Sequence, residues 1–318
     1  MSEMTLHSVG ERLGEAGAQA AWAQWSALGA GTLQGARRAT SIIDPEALLL
    51  LSLCLIPKER RLRDLTRWWA EVGSDLLSVQ RTKTLAKDFP SSVEGRLRAY
   101  SHWATRAGDK RWKKYASEET TGAFERDRKG PEEPQIRAPA SLLLRLRAGF
   151  GVNAKADVLA FLLGTSDRAA TTKKATEAIG YSRATVSGAL DDLSRAGFIA
   201  KSSGRPVEYH APTRLWKALL WGTEGEGMEA RDDPPPQWRY WAQLFAFLTR
   251  AREWAREADS RSEYMASTRA RDLFEEFEGA FHANRIHLPS PAGHQGTEYL
   301  EGFQHAIERI VQWIPEHL

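Results

Sequence analysis

The stretch 172–210, TKKATEAIGYSRATVSGALDDLSRAGFIAKSSGRPVEYH, places polar and cationic side chains at spacings suited to a nucleic-acid duplex. Arg183 carries a guanidinium that can pair with both acceptors of a guanine edge in the major groove. Ser182 and Ser187 offer hydroxyls to phosphates or bases, and Thr185 offers one to the backbone. Lys173 and Lys174 stand at the start of a helical segment, whose dipole adds to their pull on phosphate. Lys201, Ser202, Ser203 and Arg205 surround Gly204 in a loop thin enough to reach a minor groove or the sugar–phosphate backbone. An arginine there gains most in a narrow A·T-rich groove, whose potential is more negative. Asp191 and Asp192 repel phosphate, so contact by this segment is expected to end before them.

Such groups need a scaffold that holds them outward, and the same stretch supplies one. Gly180 accepts the positive φ that follows a helix, and Ser182 is a good cap for the next. Val186, Ala189, Leu190 and Leu193 recur at i, i+3, i+4 and i+7, which predicts one buried stripe. Arg183, Ala184, Ser187, Gly188 and Arg195 are left on the outer side. Gly197 stops this helix, and Phe198-Ile199-Ala200 and Val207-Glu208-Tyr209-His210 read as strands around a Lys201–Pro206 loop.

The AIGYSRATVSGAL turn and helix, the DDLSRAGFI exit and the KSSGRP hairpin resemble the winged helix-turn-helix of bacterial transcription regulators, of the broad MarR-like kind. With the preceding helix Ala154–Leu163 the likeness spans residues 154–210. Thr176 stands where such motifs place a small Ala, and Gly188 where they often carry Arg, Lys or Gln. The resemblance implies double-stranded DNA as partner, with Lys173, Lys174, Ser182, Arg183, Thr185, Ser187, Lys201, Ser202, Ser203 and Arg205 as contacts. It also implies a homodimer, because one winged motif makes few base contacts and two can read paired half-sites.

Bulk properties agree with a globular protein. The 318 residues are 42% hydrophobic and 27% charged, enough for two or three cores. A net charge of +3 implies little, but its distribution is uneven. Residues 81–114 hold ten Lys/Arg against three acids, 168–205 seven against three, and 224–278 eight against thirteen. A single cysteine, Cys54 among apolar neighbours, excludes an internal disulfide framework and suits a buried thiol in a reducing compartment. Residues 1–20 are too polar for a signal peptide. The longest apolar run, Ala47–Ile56, has ten residues, short of the roughly 20 that span a bilayer. A cytoplasmic, nucleoid-associated protein with no membrane contact is the expectation.

Helical patterns dominate elsewhere. Residues 1–40 read as loosely helical or mobile; Asp44-Pro45 is a strong start signal for Glu46–Ile56. Leu62, Leu65, Trp69 and Val72 continue at helical spacing. Proline-rich stretches at 117–139 and 222–237 read as linkers, and long helices follow at Trp238–Glu257, Ser267–Ala283 and Thr297–Ile314. Fold class is therefore mainly α, with a central winged helix-turn-helix (140–222) between helical domains at 1–139 and 223–318. The Trp-rich C-terminal helices are the expected dimer seam. Lys110-Arg111-Trp112-Lys113-Lys114-Tyr115 either extends the basic footprint or ends a helix that buries Trp112 and Tyr115; packing is preferred. Packing is also preferred for Trp216, Trp221, Trp238 and Trp241 over a ligand pocket.

Catalytic signals are thin. His282, His287 and His294 do not put two ligands on one helix face, and no metal or other cofactor is expected. The glycine-serine turn at 163–168 lacks the paired carboxylates on a following strand that nucleotidyl transfer requires, and neither a P-loop nor GxSxG occurs. The sequence thus predicts a non-enzymatic, sequence-specific transcription repressor acting as a homodimer. Its alternative is an interaction or antitoxin-type module that turns the winged domain toward a protein.

Overall fold

A computed structural model describes residues 6–30, 39–116, 133–221, 235–258, 262–294 and 296–318. The linker readings at 117–139 and 222–237 fall mostly outside these residues. Five helices come first: α1 (Leu6–Ala27), α2 (Pro45–Leu55), α3 (Arg61–Val72), α4 (Val79–Ala86) and α5 (Val93–Ala107). Next are α6 (Leu142–Phe150), α7 (Ala154–Leu163), β1 (Ala170–Thr171), α8 (Thr172–Ile179), α9 (Arg183–Arg195), β2 (Ala200–Lys201), β3 (Glu208–His210) and α10 (Thr213–Trp221). Helices α11 (Trp241–Ala258), α12 (Glu263–Ala283) and α13 (Tyr299–His317) close the chain. The protein is mainly helical, as expected, with one small antiparallel sheet of order β1-β3-β2. None of the described helices is long and apolar enough to cross a membrane.

The chain folds into two units, and they do not follow the three-part division read from the sequence. One unit gathers Met1–Ala39, Asp44–Gln135 and Tyr240–Leu318; the other holds Thr40–Ile43 and Ile136–Arg239. The first and last segments share one core because α1 packs on α11 and α13. Small residues let α1 approach closely. A Cβ on Gly10 would sit 3.3 Å from Ala255 Cβ, and one on Gly14 would sit 3.3 Å from Arg252 Nε. Residues 1–40 are therefore not loosely structured throughout, since α1 is a 22-residue core helix.

Helix α2 is buried on nearly every side, as its apolar sequence dictates. Asp44 caps it by accepting from Ala47 N at 3.1 Å. The fully buried Arg81 of α4 donates to Asp44 at 2.6 Å and to Glu46 at 2.5 Å, tying α4 to the start of α2. Trp25 donates to Ser52 Oγ at 2.9 Å and packs edge-on against Trp68 and Trp69. Burial pushes the Cys54 thiol up to about 12, which leaves it a protonated structural group at neutral pH. Helix α11 turns twelve of its 18 residues inward, Trp241, Phe245 and Phe247 among them. Those aromatic side chains of α11 are thus spent inside their own chain.

In the second unit α7 is the central helix, started by Asn153, whose side chain accepts from Lys155 N and Ala156 N. The buried pair Arg147–Asp157, bridged twice at 2.7 and 2.8 Å, joins α6 to α7. At Gly164 the chain passes so close to Ile42 and Trp238 that a Cβ would sit 2.6 Å from Ile42 Cδ1. Only glycine fits there. Trp238 N donates to Gly164 O at 2.9 Å, and Ile42 N to Gln237 O at 2.9 Å.

Candidate nucleic-acid interface

Helices α8 and α9 and the β2–β3 hairpin carry the residues singled out above. Thr171 caps α8 by accepting from Lys174 N at 3.3 Å. Gly180 then turns the chain with φ +72°, in the left-handed region. Ser182 caps α9, accepting from Thr185 N at 3.2 Å and pairing with the Thr185 hydroxyl at 2.8 Å. The stripe Val186, Ala189, Leu190 and Leu193 is buried, which fixes the rotation of α9 about its axis. Arg183, Ala184, Thr185 and Gly188 are exposed as a consequence, and Ser187 is half-buried. Thr176 is half-buried and satisfied by donating to Thr172 O at 2.8 Å.

The hairpin after α9 is shorter on both sides than read, and its first strand takes in Lys201 instead of Phe198 and Ile199. Its strands pair Ala200 with His210 and Lys201 with Tyr209. A third strand, β1, pairs Ala170 with Tyr209 and puts β3 in the middle. Two residues with an unremarkable composition gave no strand signal of their own. Ser202 closes the loop, since its N–H donates to Glu208 O at 2.8 Å and its hydroxyl accepts from Glu208 N at 2.9 Å. Lys201 to Val207 are all exposed.

Charge pairing sorts the ten candidates further. Lys201 Nζ lies 2.9 Å from Asp191 Oδ1 and 5.5 Å from the centre of the Tyr209 ring, so it braces the hairpin against α9. The Asp191 hydrogen bond, followed by Tyr209, raises the Lys201 pKa. Lys155 of α7 holds Asp192 at 2.8 Å and lowers its pKa. The two acids expected to repel phosphate are therefore each paired with a lysine. Lys173 pairs loosely with Glu177 at 3.8 Å. Arg183, Arg205 and Lys174 are exposed and have no carboxylate partner among the described residues. Lys155 and Asp192 were missed as a pair because their sequence separation gives no periodic signal.

Residues 136–221 hold thirteen Lys/Arg against six Asp/Glu. Four of those acids, Asp157, Glu177, Asp191 and Asp192, are already engaged with Arg147, Lys173, Lys201 and Lys155. Residues 136–221 therefore carry a formal excess of seven positive charges, thirteen less six. No family model, curated protein or solved structure matches the chain. The chemistry of the surface must therefore be read from the residues themselves.

The basic excess in 81–114 is less available than its count suggested. Arg81 is buried, and Arg111 donates to Asp109 at 2.7 Å and to Ser74 O at 2.9 Å. Residues Lys110–Tyr115 form a 3-10 turn that buries Trp112 against Tyr100 and sets Lys83 over Tyr115. That segment is built for packing. Trp216, Trp238 and Trp241 are likewise core side chains.

Proposed function

We propose that the second unit is a winged helix-turn-helix and that the protein is a sequence-specific DNA-binding repressor, acting as a homodimer. In this reading α8 and α9 are the two motif helices and the β2–β3 hairpin is the wing. The observation that carries it is the pairing of two uncompensated guanidiniums, Arg183 at the first turn of α9 and Arg205 at the hairpin tip, on elements held together by Lys201–Asp191. Arg183 reads a guanine edge while Arg205 enters the flanking minor groove or grips the backbone. Lys174 and Ser203 hold phosphates. Ser182 and Thr185, engaged with each other, set the start of α9, and Ser202 sets the loop. Two copies reading half-sites about one helical turn apart give the specificity that one motif lacks.

Selection from randomised duplexes on the purified chain tests this directly. Enrichment of a two-fold symmetric sequence is expected, with log affinity falling against log salt by about 0.9 per phosphate contact. No enriched sequence, or binding indifferent to salt, rejects the reading and points to a protein partner on the same face.

A further inference from the structure

Helix α10 lies outside the surface just described and carries a feature that surface does not use. Its Trp216 and Leu220 are buried, and Trp216 Nε1 donates to Phe198 O at 3.1 Å, which anchors the helix. Leu215 and Leu219, one turn apart, are instead 64% and 65% exposed. Single exposed leucines are ordinary, but a pair at i, i+4 makes a continuous apolar strip. Among the described residues of α6 and α10 the charge is of one sign. Neither α6 nor α10 contains an Asp or Glu. Arg214 and Lys217 are exposed beside the leucines. Arg145 donates to the carbonyls of Leu219 and Leu220 at the end of α10. Burial, and then the neighbouring Arg137, lowers the Arg145 pKa. None of these four cations has a carboxylate partner among the described residues.

We propose that the Leu215–Leu219 strip is a docking surface for an acidic amphipathic helix of another protein, whose apolar residues cover the leucines while its carboxylates meet Arg214, Lys217, Arg145 and Arg137. Charge complementarity selects this occupant. A second copy of the chain across a two-fold axis would set the same cations against themselves, since an isologous seam repeats its own surface. A helix with anchors at i, i+3 or i+4 and flanking acids matches both the length of the strip and its rim. This surface is independent of the DNA reading, and either can stand without the other.

The test is selection of random helical peptides displayed against the purified full chain, followed by titration of the enriched peptides. Enriched peptides are expected to be acidic, with apolar residues at helical spacing. Their affinity should fall roughly tenfold or more in Leu215→Ser/Leu219→Ser and in Arg214→Glu/Lys217→Glu, with thermal melting of the latter unchanged. Should the leucine variant unfold, the charge-reversed variant decides alone. The proposal is overturned by failure to enrich, by enrichment of neutral or basic peptides, or by affinity indifferent to both variants. It is equally overturned if the leucine variant turns a dimer into a monomer in sedimentation. Binding of phosphatidylglycerol vesicles in place of the peptides would also end it.

Discussion

Arg183 and Arg205 differ in what their loss should do. Arg183→Ala removes a bidentate donor from the base edge, so specific binding should weaken by about 1–3 kcal/mol with relaxed base preference. Arg205→Ala should weaken selected and unselected duplexes alike. Competition titration against both duplex types separates the outcomes. A second contrast concerns lysines that look alike in sequence. Lys201 is tied to Asp191, whereas Lys174 has no carboxylate partner among the described residues. Lys174→Ala should lower the salt slope by about 0.9, the loss of one phosphate contact. Lys201→Ala should leave that slope unchanged while loosening the hairpin, seen as faster amide exchange at Tyr209. Equal slopes for the two variants would make Lys201 a phosphate contact after all.

At the level of elements, α9 carries a cost in its middle. Gly188 is exposed, and a Cβ built there meets nothing within 4 Å. Gly188→Ala should therefore stabilise the second unit by about 0.5–1 kcal/mol, read from denaturant unfolding. A loss of stability would show that the helix is strained at this point. The α6–α7 junction works in the opposite sense. Arg147 and Asp157 are both fully buried and doubly bridged, so Asp157→Ala takes the counter-charge away from a buried guanidinium. About 3–5 kcal/mol of stability should be lost, enough to shift the denaturant midpoint far more than any exposed pair would.

For the whole molecule, the discontinuous first unit makes the strongest demand. Its core needs α1, α2 and α11 together, because the small residues of α1 close against Ala255 and Arg252. Fragments 1–135 and 240–318 should each be insoluble alone, with apolar faces of this size open to water. Expressed together they should copurify, and size-exclusion chromatography reads the result. Two separately soluble fragments would mean two domains, as the sequence suggested.

How much could be read in advance depended on the range of the interaction. The 154–163 helix was predicted with the bounds observed, and Asp44-Pro45 marked a start to within one residue. These signals are local: caps, prolines and the 3.6-residue period act within a few positions of each other. The same holds for the outward placement of Arg183, which follows from the Val186–Leu193 stripe alone. β1 was invisible because a two-residue strand has no period and exists only through its partner β3. The roles of Lys201, Asp191, Lys155 and Asp192 were equally hidden, since which lysine meets which carboxylate is fixed by how three helices and a hairpin stack. The union of the two chain ends was a tertiary decision too. An apolar face announces that it will be buried, but only packing chooses against what.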